Sequence, residues 1–295
     1  MGQRPFYIVD VFAEEKYAGN QLAVFRHPEG LSDSDMQRIA KEMNYSETTF
    51  ILSEEERDGG YDVRIFTPEK ELPFAGHPTL GTAYVIQQEI VRKPVEKVNL
   101  NLKIGQIPVT FNYSQGQPDI LWMKQKHPTF GQILDKKAVS SVLGLDEREI
   151  DERFPVEEVS TGVFSIIAPL KTLDGVKRTE IKKDEYIALI ESTEAKAILI
   201  FCPETYKREN DLNVRFFAEA LGVVEDPATG SANGCLAGYL VKNRYFGKDQ
   251  IDLRVEQGYE IGRPSLLYLK AGGKEGIIEV LVGGKAFMVA RGEFI

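Results

Sequence analysis

The sequence predicts an α+β fold: two similar domains from an internal duplication, each a curled, mostly antiparallel sheet around a central helix. Three observations carry this expectation. Short β-branched and aromatic runs recur between glycine turns. Two segments, 77–90 and 231–241, have helical length yet are apolar or small almost all round, the composition of a helix buried on every side. Each of these segments is entered through the same ordered pair of short units. A chain of 295 residues also has room for about two domains of roughly 150 residues.

Taken in order, Phe6–Phe12 has strand composition, Gly19-Asn20 marks a turn, and Leu22–Phe25 reads as the returning strand. Ser32 or Asp33 can N-cap a helix whose Met36, Ile39, Ala40 and Met43 fall at helical spacing. Thr48–Leu52 and the alternating Tyr61–Phe66 are further strands. Lys97–Tyr113 reads as two strands joined at Ile104-Gly105-Gln106. From Ile251 to Ile295 there are at least four strand-like runs, punctuated by Gly258, Gly272-Gly273 and Gly283-Gly284.

The duplication rests on residues. Val63-Arg64-Ile65-Phe66 is answered by Val214-Arg215-Phe216-Phe217, 151 positions on. Pro73-Phe74-Ala75-Gly76-His77 is answered by Pro227-Ala228-Thr229-Gly230-Ser231, 154 positions on. Each unit is common alone; their shared order and shared entry into a small apolar helix favour duplication. The expected domains are 1–115, joined by a C-terminal strand at 286–295, and 116–285.

Composition narrows the function. Lys and Arg total 36 against 45 Asp and Glu, a formal net charge of −9, and there is no local basic stripe, so nucleic acid and anionic membranes are not expected partners. No apolar run approaches the ~18–20 residues of a membrane span, and no signal peptide is visible at the start. A cytoplasmic location is the expectation. Two cysteines, Cys202 and Cys235, are too few for a disulfide framework. Only His27, His77 and His127 are present, with no metal-ligand spacing, so no metal is expected. Phosphate-loop, dinucleotide and nucleophile-elbow motifs are missing, which leaves chemistry without a cofactor.

Two glycine turns, each opening a buried helix, are expected to meet at a pseudo-two-fold axis. Helix N-termini present unpaired N–H groups and about half a positive charge, and glycine lets a ligand come close to them. A pair of them suits an anion. The expected partner is therefore a small-molecule carboxylate. Nearby polar residues are Glu47, Asp226, His77 and Ser231, the last two at equivalent places in the repeat. Each has an ordinary alternative: an exposed strand-end charge, an Asp-Pro turn, a packing histidine and an N-cap hydroxyl. An anion hole with one carboxylate base suits proton transfer at carbon.

These residues resemble the PhzF-like isomerase family of phenazine biosynthesis. The likeness runs through Val9–Phe12, Gly19-Asn20, Ser46–Phe50, Val63–Pro68, Glu71–Thr79 and Asp226–Ala232, in order over essentially the whole chain. It implies the diaminopimelate-epimerase-like fold. It also implies Glu47 as general acid/base, with His77, Asp226 and Ser231 positioning substrate and relaying protons. Asn20, Gly76, Thr229 and Gly230 would line the polar contacts. The family's characterised reaction moves a hydrogen along the diene of a dihydro-hydroxyanthranilate. A homodimer is expected by resemblance. Gln21 stands where the family usually has proline. Related epimerases place cysteines where this chain has Ala75 and Thr229, which disfavours two-thiol racemisation. Two alternatives stay open: an amino-acid epimerase using Glu47 and Asp226, and a non-catalytic carboxylate-binding protein.

Overall fold

The computed structural model describes residues 4–274 and 276–295. Its contacts divide the chain into two compact units, Met1–Met123 with Gly283–Ile295, and Lys124–Val282.

In the first unit the order is β1 (Arg4–Val11), β2 (Asn20–Arg26), α1 (Asp33–Met43), β3 (Glu47–Ile51), β4 (Tyr61–Phe66) and β5 (Glu71–Leu72). Then come α2 (Gly76–Val85), β6 (Lys97–Leu102), β7 (Gly105–Ser114) and β8 (Gln117–Lys124). The unit runs past residue 115 because β8 pairs antiparallel with β7, as Val109 opposite Met123 shows. In the second unit, β9 (Thr129–Leu134), α3 (Lys136–Val142), β10 (Val156–Ser160), β11 (Phe164–Pro169), α4 (Leu173–Arg178), α5 (Lys183–Glu191) and β12 (Ile198–Cys202) follow. They lead to β13 (Leu212–Phe217), α6 (Gly230–Lys242), β14 (Gln250–Gln257), β15 (Ser265–Lys274) and β16 (Ile277–Gly284). The chain then returns to the first unit as β17 (Ala286–Phe294), antiparallel to β1.

The strands of the two units repeat one pattern of pairing. In the first unit β1–β2 is antiparallel, β2–β3 parallel, β3–β4 antiparallel, β4–β6 parallel and β6–β7 antiparallel. In the second unit β10–β11, β11–β12, β12–β13, β13–β14 and β14–β15 alternate in the same way. Within each unit the pairing is therefore antiparallel with two parallel joins, the same pattern in both.

Local chemistry accounts for the helices. α1 is amphipathic and opens on a capping box between Ser32 and Asp35. Its Met36 and Ala40 pack with Phe25, Phe50 and Phe66 on one face of the sheet. α2 and α6 are buried almost throughout, including Leu80 in α2 and Tyr239 and Leu240 in α6. Fully burying side chains of this size stabilises by about 1.5–3 kcal/mol each. Glycine permits the close fit: a Cβ on Gly81 would lie 2.6 Å from Leu22 Cδ2, and one on Gly238 2.7 Å from Pro128 Cβ. The apolar stretch read as one helix over 77–90 ends in a π-helical turn, Ile86–Val91. Among the described residues no helix is long and apolar enough to cross a membrane.

Candidate active site

In the first unit the site begins at the turn into β2. Gly19 has φ +69°, and a Cβ there would strike Val11 O and Ala13 Cβ, so only glycine turns the chain here. The turn delivers Asn20, which is buried, to the first position of β2. β3 runs parallel to β2, with Glu47 opposite Leu22. Side chains alternate along a strand, so Glu47 and Thr49 share a face. That face meets α2, where Thr49 Oγ1 and Thr82 Oγ1 form a buried hydrogen bond of 2.8 Å.

The same contact brings His77 Nε2 to 3.5 Å from Glu47 Oε2, the two side chains being 7% and 16% exposed. His77 Nε2 also lies 3.3 Å from Gln21 O. A carbonyl only accepts, so the neutral ring carries its proton on Nε2. Burial pulls the His77 pKa down to about 3, and the Gln21 carbonyl offsets this only partly. Near neutral pH, His77 therefore stands beside Glu47 as an uncharged ring whose N–H faces the Gln21 carbonyl.

The second unit finishes its helix start differently. Asp226 is buried and ends the turn after β13, its N–H donating to Phe216 O at 3.1 Å. Thr229 is the N-cap residue of α6, and its hydroxyl donates to Asp226 Oδ2 and not to the helix. The N-cap residue of α2 is Ala75. Neither cap lends a side-chain oxygen to the first turn, so Gly76 and His77, and Gly230 and Ser231, open helices whose leading N–H groups keep their attraction for anions. Ser231 is thus the second helical residue; the N-cap role considered for it falls to Thr229. Its carbonyl accepts from Thr161 Oγ1 at 3.3 Å.

Both helix starts rest on the same device, which the sequence motif contained without declaring. Arg64 grips Glu71 with two parallel hydrogen bonds of 2.8 Å. Arg215 grips Glu225 likewise, at 2.9 and 2.8 Å. Glu71 and Glu225 stand two residues before the prolines and 154 positions apart, at the offset of the repeat. Each fork ties the strand that carries the Val-Arg-x-Phe unit to the turn that leads into the helix. The Arg64 guanidinium, with help from Lys103, holds the Glu71 carboxyl down at about 2.

The cysteines stand apart from this chemistry. Cys235 is buried in α6 beside Thr161 Oγ1 at 3.7 Å, and burial pushes its thiol up to about 11. Cys202 is pushed to about 12 in the same way, so both are poor nucleophiles. Among the described residues no group of three His, Cys, Asp or Glu side chains is placed to hold a metal ion.

The structure thus joins Glu47, His77, Gly76 and the turn into Asn20 within the first unit. It joins Asp226, Thr229, Gly230 and Ser231 within the second. Comparison with known proteins agrees with the motifs. Residues 9–292 match the family model described as phenazine biosynthesis-like protein. A trans-2,3-dihydro-3-hydroxyanthranilate isomerase of Pseudomonas aeruginosa is 34% identical over 97% of this chain and 98% of its own length. An uncharacterized isomerase of Pasteurella multocida is 35% identical over 98% of this chain and 93% of its own. The crystal structure of a Bacillus anthracis phenazine biosynthesis protein of the PhzF family superposes with a TM-score of 0.91, at 26% identity and full coverage of both chains. With that fold, those motifs and those relatives together, this chain belongs to the phenazine biosynthesis-like, PhzF family and is an isomerase of that family.

Proposed function

We propose that this isomerase moves a proton on a small cyclic or amino-acid-like carboxylate, with Glu47 as the general acid/base. The observation that carries the reading is the Glu47 carboxylate set 3.5 Å from a neutral, buried His77 at the start of a helix. A carboxylate beside a cationic imidazole would be held as a stable ion pair. Beside an uncharged imidazole it stays available to take a proton from carbon and return it.

The proposed substrate class is trans-2,3-dihydro-3-hydroxyanthranilate and close analogues, on the strength of the Pseudomonas aeruginosa relative. In such a reaction one C–H bond breaks, the double bonds shift, and a C–H bond forms elsewhere on the ring. No electrons are gained or lost overall, so no redox cofactor is required. N–H groups opening α2, beside Glu47 and His77, would hold the carboxylate and stabilise charge as the proton leaves. His77, Asp226 and Ser231 would position substrate and relay protons, with Asn20, Gly76, Thr229 and Gly230 as polar contacts. A homodimer in a cytoplasmic setting belongs to the same reading, and sedimentation of the purified chain tests the first part.

The test is incubation of the purified protein with trans-2,3-dihydro-3-hydroxyanthranilate in D2O, followed by NMR. The expected result is an isomer carrying deuterium at a new ring carbon. Unchanged substrate at high enzyme concentration would exclude this substrate. Recovery of the substrate's stereoisomer would convert the reading to epimerisation.

A further inference from the structure

We propose that Gln257, at the end of β14, is a positioning residue that sets the Asp226 carboxylate and the first turn of α6. The inference rests on the reading of Asp226 given above.

Gln257 is fully buried, and its amide uses all of its hydrogen-bonding capacity on one turn. Nε2 donates to Asp226 O at 2.8 Å and to Thr229 Oγ1 at 3.2 Å. Oε1 accepts from Thr229 N at 3.2 Å and from Asn233 Nδ2 at 2.8 Å. Asn233 Nδ2 in turn donates to Thr229 O at 3.0 Å. Asp226 O can only accept and Thr229 N–H can only donate, so the amide has one permitted orientation. With Nε2–H pointed at the Thr229 oxygen, the threonine's own proton is directed to Asp226 Oδ2. A chain of donors thus runs from Gln257 through Thr229 to the carboxylate.

The backbone reinforces this. Gly258 has φ +78°, and a Cβ there would fall 2.6 Å from Pro227 O. The end of β14 therefore lies directly against the Asp226-Pro227 turn. Gln257 acts through Thr229, and its own polar atoms are fully spent within the protein. Its effect belongs to the geometry of Asp226 and the α6 N–H groups.

The test is a double-mutant cycle in the full-length protein, because partners in one hydrogen-bond chain give non-additive effects. The variants are Gln257→Met, which keeps the shape and removes all four bonds, Thr229→Val, and the two combined. The readouts are kcat and KM on trans-2,3-dihydro-3-hydroxyanthranilate and the calorimetric affinity for anthranilate. Each single variant is expected to lower kcat by about 10- to 100-fold, with KM changed less than about fivefold and the double variant no more than about threefold below the worse single one. Thr229→Ser, which keeps the hydroxyl, should recover at least about tenfold of the Thr229→Val loss. Fully additive losses, or a kcat within threefold of wild type in Thr229→Val, would overturn the inference. Thr229→Val leaves Gln257 in place, so a near-wild-type kcat in it overturns the inference even if Gln257→Met does not fold. If Asp226→Asn is inactive while both single variants stay active, this inference alone fails. If Asp226→Asn is fully active, the reading of Asp226 fails with it. Should wild-type protein leave the dihydro compound unchanged, the same cycle is read from anthranilate affinity. Wild-type protein that neither converts the one nor binds the other overturns both.

Discussion

The starts of α2 and α6 are built on one plan and finished differently. Both follow an arginine–glutamate fork, a proline turn and a glycine that opens a buried helix. At α2 the finish is a carboxylate beside an imidazole, Glu47 and His77. At α6 it is Asp226 holding donors from Thr229 and Gln257, with Asn233 donating behind them to Thr229 O. β3 opens with Glu47, whereas the corresponding strand β12 opens with buried Ile198. The repeat supplies a scaffold twice, and the proposed proton carrier occurs in one copy only. On the proposed role of Glu47, a base matched to it by the repeat is missing from the second copy.

Substitutions can break or sharpen the comparison. The largest effect is expected in catalysis. Glu47→Gln should lower kcat by about 10²- to 10⁴-fold, the usual contribution of a general acid/base, and Asp226→Asn by less. Steady-state rates on trans-2,3-dihydro-3-hydroxyanthranilate measure both, and equal losses would argue for two matched bases.

The forks should differ next. Arg215 and Glu225 are 10% and 9% exposed, and Arg215 also donates to Val176 O and Thr179 O. Arg215→Met strands a buried carboxylate and should cost about 3–5 kcal/mol. Arg64→Met leaves Glu71 its 2.6 Å bond to Lys103 and should cost closer to about 1–3 kcal/mol. Denaturant unfolding of both variants checks the order; a costlier Arg64→Met would mean that burial does not set the difference.

The helix packing should differ little. Gly81→Ala and Gly238→Ala each force a methyl into a closed contact and should each cost about 1–3 kcal/mol. Thermal melts of the two variants serve here, and an unaffected melting temperature in either would show that its helix can shift.

The most gradual effect is in pH dependence. His77 is held neutral in the folded chain with a pKa near 3, below its ordinary 6.5. Its contribution is therefore complete above pH 6.5 and is lost as pH falls toward 3, at roughly 1 kcal/mol per pH unit. Glu71, lowered from 4.5 to about 2, adds a loss of the same sign only below pH 4.5. Wild type should thus lose stability between pH 6.5 and 4.5 faster than His77→Gln. Parallel unfolding curves for the two proteins over that window would show that His77 is not held neutral.

Much of this was legible in the sequence, and the reasons are physical. α2 and α6 announced themselves because a helix without a polar face must be enclosed. Val-Arg-x-Phe and Pro-x-x-Gly marked the duplication because each copy needs the arginine of its fork and the glycine of its turn. The middle of the chain was harder to read. β10, β12 and β13 are buried at every position, so they lack the alternation that identifies a half-exposed strand. Glu47 and His77 were recognisable as residue types near glycine turns, although their meeting depends on the parallel pairing of β2 with β3. Gln257 carried no local signal, because its partners lie 24 to 31 positions away and meet it only when β14 packs beneath the start of α6. The fork glutamates did have a signal, the shared 154-residue offset of Glu71 and Glu225, but it becomes informative only once each is paired with its arginine.

The most direct test separates binding from proton transfer at Glu47. Wild type and Glu47→Gln are each saturated with trans-2,3-dihydro-3-hydroxyanthranilate in D2O. Affinity is followed by calorimetry and ring deuteration by mass spectrometry. The expected result is near-equal affinity, with deuterium entering the ring only in the wild-type sample. Continued deuteration by Glu47→Gln at the wild-type rate would contradict the assignment of Glu47 as the group that carries the proton.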